Sequence, residues 1–303
     1  MTSAFLDRAA GCLVGLACGD AVGTTLEFHE PGSFEPITDM IGGGPFSLEP
    51  GQWTDDTSMA LCLAESLFHC NGFNAENQMN RYCNWMHYGI PSSTGTAFDI
   101  GNTVRAALLE YERTGNPYSG SADPHTAGNG SLMRLAPIPI FFFPDLEAII
   151  RYSGESSRTT HGAAEAIEAC QLFSEYLFNA LSGYTRDQIL INKAFQPAEP
   201  KLQEISGRNW DLVSGSEIRG SGYVVKSLEA ALWCFASTNS YEEAILKAAN
   251  LGDDADTTGA ICGQIAGAYY GLSGIPTAWK QRLQDYSMIE GMAHRLVKSR
   301  EAL

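Results

Sequence analysis

The sequence predicts an all-α protein. Apolar residues recur at helical spacing from one end to the other, alternating β-branched runs are nearly absent, and the loops that stand out are short and rich in glycine. With 303 residues, 44% hydrophobic and 18% charged, the chain is long enough to bury a substantial core. No Gly/Ser-rich or Pro-rich linker divides it and no internal repeat is visible, so a single domain over residues 1–303 is expected.

Taken in order, Phe5, Leu6, Ala9, Ala10, Leu13, Val14 and Leu16 trace one face of a first helix. Residues 59–68, 79–86 and 104–111 give three more, and 163–181 a long one that follows Thr160-His161-Gly162. Residues 224–235, 241–250, 257–270 and 276–298 complete the set, with Pro276 suited to the first turn of the last. The only strand-like stretch lies around residues 138–143, where prolines interrupt it. Many Ala, Gly and Cys residues in these helices suit close packing of helix on helix.

A formal charge of -16 argues against a nucleic-acid binder, which needs clustered Lys and Arg, so no nucleic-acid binding is expected. A phosphate-bearing ligand would then need another source of attraction, which bound divalent cations would provide while consuming some of the excess carboxylates. None of the eight cysteines sits at CxxC spacing and most lie in apolar runs, so they read as reduced, buried thiols of a cytoplasmic protein. The run from Ala9 to Cys18 has the look of a secretory signal core. Asp7 before it, Asp20 after it and the lone positive charge of Arg8 make it a buried helix instead. No apolar stretch is judged to approach membrane-spanning length, so a soluble chain with no membrane binding is expected.

Two segments share a design. Trp53-Thr54-Asp55-Asp56-Thr57 precedes one apolar helix and Asp253-Asp254-Ala255-Asp256-Thr257-Thr258 precedes another, about two hundred residues on. Thr and Asp are good N-caps and acidic residues complement the helix dipole, so either segment alone can be simple capping. A cap needs one or two such residues, and each opening here has more. Crowded carboxylates repel one another unless hard cations relieve them, and Mg²⁺ and Mn²⁺ favour oxygen ligands of this kind. Between the two lies Ala127-Gly128-Asn129-Gly130-Ser131-Leu132-Met133-Arg134, where small residues let a ligand approach backbone N–H groups, or merely form a turn. His161, ahead of the long helix, is placed to donate to an anion or to serve a structural role.

These segments, in this order, resemble the ADP-ribosylglycohydrolase family, which includes the bacterial dinitrogenase reductase-activating glycohydrolase. The likeness runs from Gly15 to Gly271 and takes in Gly19-Asp20-Ala21-Val22-Gly23, Leu26-Glu27-Phe28, the two acidic segments, Thr160-His161 and Ser221-Gly222-Tyr223-Val224. Asp253 departs from it, standing where the family commonly has glycine.

The resemblance implies a compact orthogonal helical bundle and metal-dependent hydrolysis of the bond linking ADP-ribose to a protein side chain. It implies two divalent ions, Mg²⁺ or Mn²⁺, held by Thr54, Asp55, Asp56, Asp254, Asp256 and Thr257. Glu27 matches a carboxylate beside that centre and Asp99 an acidic residue near the substrate ribose, so Glu27, Asp99, Asp55 and Asp254 form the expected catalytic set. Gly128, Asn129, Gly130, Ser131 and His161 are expected to contact the diphosphate and its ribose, with Tyr223 along the same cleft. An ADP-ribosylated protein is the implied partner, ADP-ribose the product, and a monomer the expected state. Arginine is the expected acceptor, since the Asp99 segment is similar to the arginine-specific nitrogenase-reactivating branch. Rival readings are a hydrolase for serine-linked or other conjugates, a non-catalytic ADP-ribose-binding relative, and a two-metal phosphoesterase. Immunity against an ADP-ribosylating toxin would use the same chemistry.

Overall fold

The structure is a computed structural model that describes residues 2–301. At its centre, helix α1 (Ser3–Gly23) lies antiparallel to helix α12 (Ala255–Tyr270). Glycines set four apart on each helix make the contact: Gly11 meets Gly267, Gly15 meets Gly263 and Gly19 meets Gly259. A Cβ on Gly15 would stand 2.4 Å from the Gly263 carbonyl oxygen, and one on Gly263 2.1 Å from that of Gly15. The backbones therefore touch directly, and residues such as Leu13, Leu16, Ile261 and Ile265 pack outward from that seam into the core.

Around the pair stand α2 (Asp55–Cys70), α3 (Ala75–Tyr88), α4 (Asn102–Thr114), α5 (Pro137–Phe142), α6 (Leu146–Arg158) and α7 (Ala164–Leu181). Two short helices follow, α8 (Arg186–Ile189) and α9 (Pro200–Ser206). Then come α10 (Val224–Ala236), α11 (Tyr241–Ala249) and, after α12, α13 (Thr277–Arg282) and α14 (Tyr286–Glu301). Among the described residues there is no strand; isolated bridges join Gly43 to Leu48, Ser121 to His161 and Gly128 to Tyr223. The all-α expectation holds.

Three local expectations do not. Residues 138–143 are not strand-like: Pro137–Phe142 is a helix with proline in its first turn, buried on all sides. The helix expected over residues 276–298 is broken into α13 and α14 around Asp285, whose φ is 59°, and Pro276 is the N-cap of α13 rather than its first turn. Ser3–Leu26 is long and apolar enough to cross a membrane by length and hydropathy, contrary to the reading above. Within this protein 94% of that apolar window is buried. The cysteines are free thiols, buried except for the half-buried Cys70.

Candidate functional site

The site forms where α1 ends and both α2 and α12 begin. Asp20, in the last turns of α1, is fully buried and accepts four hydrogen-bond donors from the opening of α2. Its Oδ1 takes the Thr54 N–H and hydroxyl, both at 3.0 Å, and its Oδ2 takes the Thr57 N–H at 3.1 Å and hydroxyl at 2.6 Å. The glycine seam brings α12 to the same place, so its first turn faces that of α2. Oδ2 of Asp256 lies 3.3 Å from the Thr54 hydroxyl, and Oδ2 of Asp56 lies 3.3 Å from the Thr257 hydroxyl.

These acidic openings are not spent on capping. Thr54 and Asp254 stand at the N-cap positions of α2 and α12, and neither side chain makes a capping hydrogen bond. The Thr54 hydroxyl instead has carboxylate oxygens of Asp20, Asp256 and Asp56 at 3.0, 3.3 and 3.4 Å. One hydroxyl proton serves only one of them. Oδ1 of Asp56, Oδ1 of Asp256 and Oε2 of Glu27 are buried with no donor at all. Buried acceptors left like this are costly unless a cation or proton satisfies them.

Two further carboxylates arrive from the loops, one of them on strained backbone. The Phe28 N–H donates to the Asp253 carbonyl at 2.7 Å and the Asp253 N–H to that of His29 at 2.8 Å, which ties the chain after α1 to the chain before α12. That tie sets Glu27 against the start of α12. Asp99 enters from the segment before α4 with φ of 58°, a left-handed conformation uncommon for a non-glycine residue. One carboxylate oxygen each of Glu27, Asp99 and Asp256 lie within 4.8 Å of one another.

The charge is correspondingly unrelieved. Burial first, then neighbouring carboxylates, holds Asp55, Asp56 and Asp256 well above the ordinary carboxylate range. Burial, with Asp99 and Asp254 nearby, pushes Glu27 up to about 9. Asp99 rises to about 7 through burial and then Asp254. Burial also raises Asp20, to about 6, although hydrogen bonds from Thr57 and Thr54 oppose it.

A cavity of about 880 Å³ opens over this cluster. Glu27, Asp55, Asp99, Gly128, Asn129, Gly130, His161, Asp254, Asp256 and Thr257 all line it. Thr54, Asp56 and Ser131 lie buried outside its lining; Ser131 Oγ accepts from Ser157 Oγ at 2.9 Å. Asn129 Nδ2 donates to Asp254 Oδ2 at 2.7 Å and to Ser227 Oγ at 2.8 Å, orienting one wall. The ring of His161 packs under the Gly128 and Gly130 backbone, where a Cβ on Gly130 would come within 2.9 Å of Cε1. Tyr223 is not part of the lining: its hydroxyl donates to Glu165 Oε2 at 2.5 Å and accepts from Lys201 Nζ at 2.6 Å. Its segment supports the glycine loop through the backbone, Asn129 N–H to Gly222 carbonyl at 3.1 Å.

The residues present suit divalent metal. The donor set is oxygen only, carboxylate and threonine hydroxyl, which favours hard ions over zinc, and it includes acceptors that no protein donor reaches. Asp20 was missed as a contributor to the site; its signal was a lone carboxylate inside an apolar helical run.

Comparison with known proteins gives one consistent picture. The family described as ADP-ribosylglycohydrolase matches residues 1–302. The chain is 46% identical over 291 residues to ADP-ribosylarginine hydrolase Tri1 of Pseudomonas putida (strain GB-1), covering 96% of this chain and 78% of that protein. It is 29% identical to the ADP-ribosyl-[dinitrogen reductase] glycohydrolase of Rhodospirillum rubrum, over 91% of this chain and 90% of the other. A solved structure described as an ADP-ribosylglycohydrolase-related protein complex superposes with a TM-score of 0.86 at 41% identity, covering 98% of this chain and 99% of that one.

Proposed function

The chain belongs to the ADP-ribosylglycohydrolase family, and from that premise we propose that it uses divalent metal ions to release ADP-ribose from arginine side chains of modified proteins. It is an ADP-ribosylglycohydrolase, a hydrolase of ADP-ribose glycosidic bonds. Its cofactor and acceptor are the proposed parts.

The observation that carries the cofactor is the buried carboxylate cluster with donorless oxygens on Asp56, Asp256 and Glu27. Thr54, Asp55, Asp56, Asp254, Asp256 and Thr257 would hold two ions, Mg²⁺ or Mn²⁺, with Glu27 and Asp99 at the border. When bound, such ions supply Lewis-acid stabilisation of developing charge. The chain's own groups do the rest. Asn129 fixes Asp254, and the loop of Gly128 and Gly130 with His161 seats the diphosphate. Cleavage at the anomeric carbon builds oxocarbenium character on the ribose, which the carboxylates on the cavity wall stabilise. Glu27 and Asp99 stand within hydrogen-bonding reach of each other, and burial among carboxylates raises the affinity of both for protons, so this pair is the place to hold and pass one. From that position it is passed to the leaving nitrogen or exchanged with attacking water.

The acceptor rests on the rim. Asp253, a carboxylate where the family commonly has glycine, lines the cavity beside Phe28, which is 67% exposed. A carboxylate next to an aromatic face suits a planar guanidinium better than a neutral hydroxyl. The test is incubation with arginine- and serine-linked ADP-ribosyl proteins, with Mg²⁺, Mn²⁺ or chelator. Metal-dependent release of free ADP-ribose from the arginine substrate is expected. Release of AMP would mark a phosphoesterase and sink the reading.

A further inference from the structure

Arg134 is a fully buried guanidinium that the chemistry above leaves unused. Among the described residues it has no carboxylate partner. It sits 4.6 Å from the Tyr82 ring centroid, and its Nη2 donates to the Thr160 hydroxyl at 2.7 Å and more distantly to the Ser156 carbonyl at 3.4 Å. Keeping an unpaired charge inside a protein is expensive, so a site that retains one calls for a reason. The next bond in the chain supplies it. The same Thr160 oxygen lies 2.9 Å from Nδ1 of His161, whose ring lines the cavity.

A guanidinium only donates, so Thr160 Oγ1 accepts from Arg134 and keeps its own proton to give. Among the described residues no other acceptor for that proton is within reach, whereas Nδ1 is. Donation to Nδ1 makes that nitrogen an acceptor and leaves the ring's hydrogen on Nε2. Nε2 is the atom that faces the loop, 3.3 Å from where a Cβ of Gly130 would lie. We propose that Arg134 and Thr160 are positioning residues that fix His161 in its Nε2–H tautomer, so that the ring presents a hydrogen-bond donor to an oxygen of bound ADP-ribose. Burial and then the nearby Arg134 also hold the ring's affinity for a second proton down, to about 3, so the donor is present unchanged across working pH. The ligand named here rests on the proposed function; the tautomer does not.

The tautomer is read directly by long-range ¹H–¹⁵N correlation on ligand-free protein. His161 signals are assigned by their loss in His161→Gln or, should that variant not fold, by sequential backbone assignment. The expected spectrum shows protonated Nε2 and an accepting Nδ1, constant between about pH 5.5 and 8. Thr160→Val is expected to mix the tautomers and weaken ADP-ribose binding about tenfold, and Thr160→Ser to restore both. A wild-type ring carrying its hydrogen on Nδ1, or a Thr160→Val variant with unchanged tautomer and affinity, would overturn the proposal. A wild-type protein that holds the tautomer but binds no ADP-ribose would instead overturn the proposed function.

Discussion

Asp20 and Thr57 are joined twice, Asp20 Oδ2 accepting both the hydroxyl and the N–H of Thr57, and this clamps the opening of α2 to the end of α1. With the two further donors from Thr54, the carboxylate satisfies groups that a buried helix opening would otherwise leave orphaned. Asp20→Ala strands three of the four in the interior, the Thr54 hydroxyl keeping Asp256 and Asp56 within reach, and is expected to cost about 3 kcal/mol. Asp20→Asn, which keeps one accepting oxygen, should fall between. Urea unfolding checks this; a loss below about 0.5 kcal/mol for Asp20→Ala would show the clamp to be incidental.

The glycine seam should be as intolerant. Gly15→Ala places a methyl group 2.4 Å from a carbonyl oxygen of α12, and neither backbone can yield without moving the site. A loss of about 3 kcal/mol is expected. Gly291 in α14 is the control, since a Cβ there meets nothing within 4 Å. Gly291→Ala should leave stability unchanged or raise it by up to about 1 kcal/mol. Equal effects at the two positions would contradict the seam.

Without metal, stability should fall as pH rises. Glu27 is raised to about 9 and Asp99 to about 7, so each binds its proton more tightly folded than unfolded. Their contribution is complete below about pH 4. It is lost as the pH passes about 7 and then 9. Metal binding needs Asp55, Asp56 and Asp256 ionised, and burial among carboxylates holds these well above the ordinary range too, so stabilisation by Mn²⁺ or Mg²⁺ should grow as the pH rises. Melting temperatures with chelator and with metal should therefore diverge as pH rises. Parallel curves would argue against a metal centre.

Much of this was legible, and the limits have physical causes. The acidic openings announced themselves because each helix began with more oxygen ligands than capping uses; folding brought Thr54 and Asp256 within 3.3 Å. The helix at residues 137–142 was obscured because a short run buried all round has no period to read. Helix α6 escaped notice because its buried face carries Ser153, Gly154, Ser156 and Ser157, which do not form an apolar stripe. The orientation of Tyr223 depends on Glu165 and Lys201, partners that adjacent sequence does not reveal.

Asp256→Asn separates repulsion from ligation. In the proposed centre Asp256 is a ligand, so the amide should lower metal content and abolish turnover. In metal-free protein the same residue is one of several like charges, raised by burial and then by Glu27, Asp56 and Asp254. Neutralising it should therefore raise the melting temperature in chelator while lowering it in saturating metal. Elemental analysis with paired melting curves reads both signs. Full metal content in the variant would remove Asp256 from the ligand set.

The acceptor preference should be visible at the rim. Arginine-linked ADP-ribose is expected to be cleaved with a kcat/KM well above that of the serine-linked form, because a cationic guanidinium gains from the carboxylates around it and a hydroxyl does not. Asp253 is the residue to change, since it lines the cavity, is held by its backbone to Phe28 and His29, and ligates nothing else in the cluster. Its φ of 53° is a conformation glycine adopts without strain, so Asp253→Gly should fold at least as well as the parent. On the arginine substrate the variant should show a KM raised several-fold, by the ~1 kcal/mol expected of one partly exposed ion pair. Turnover on the serine-linked substrate should be unchanged. A uniform fall in kcat on both substrates would place Asp253 in the catalytic centre instead, and a serine preference in the parent protein would refute the arginine assignment.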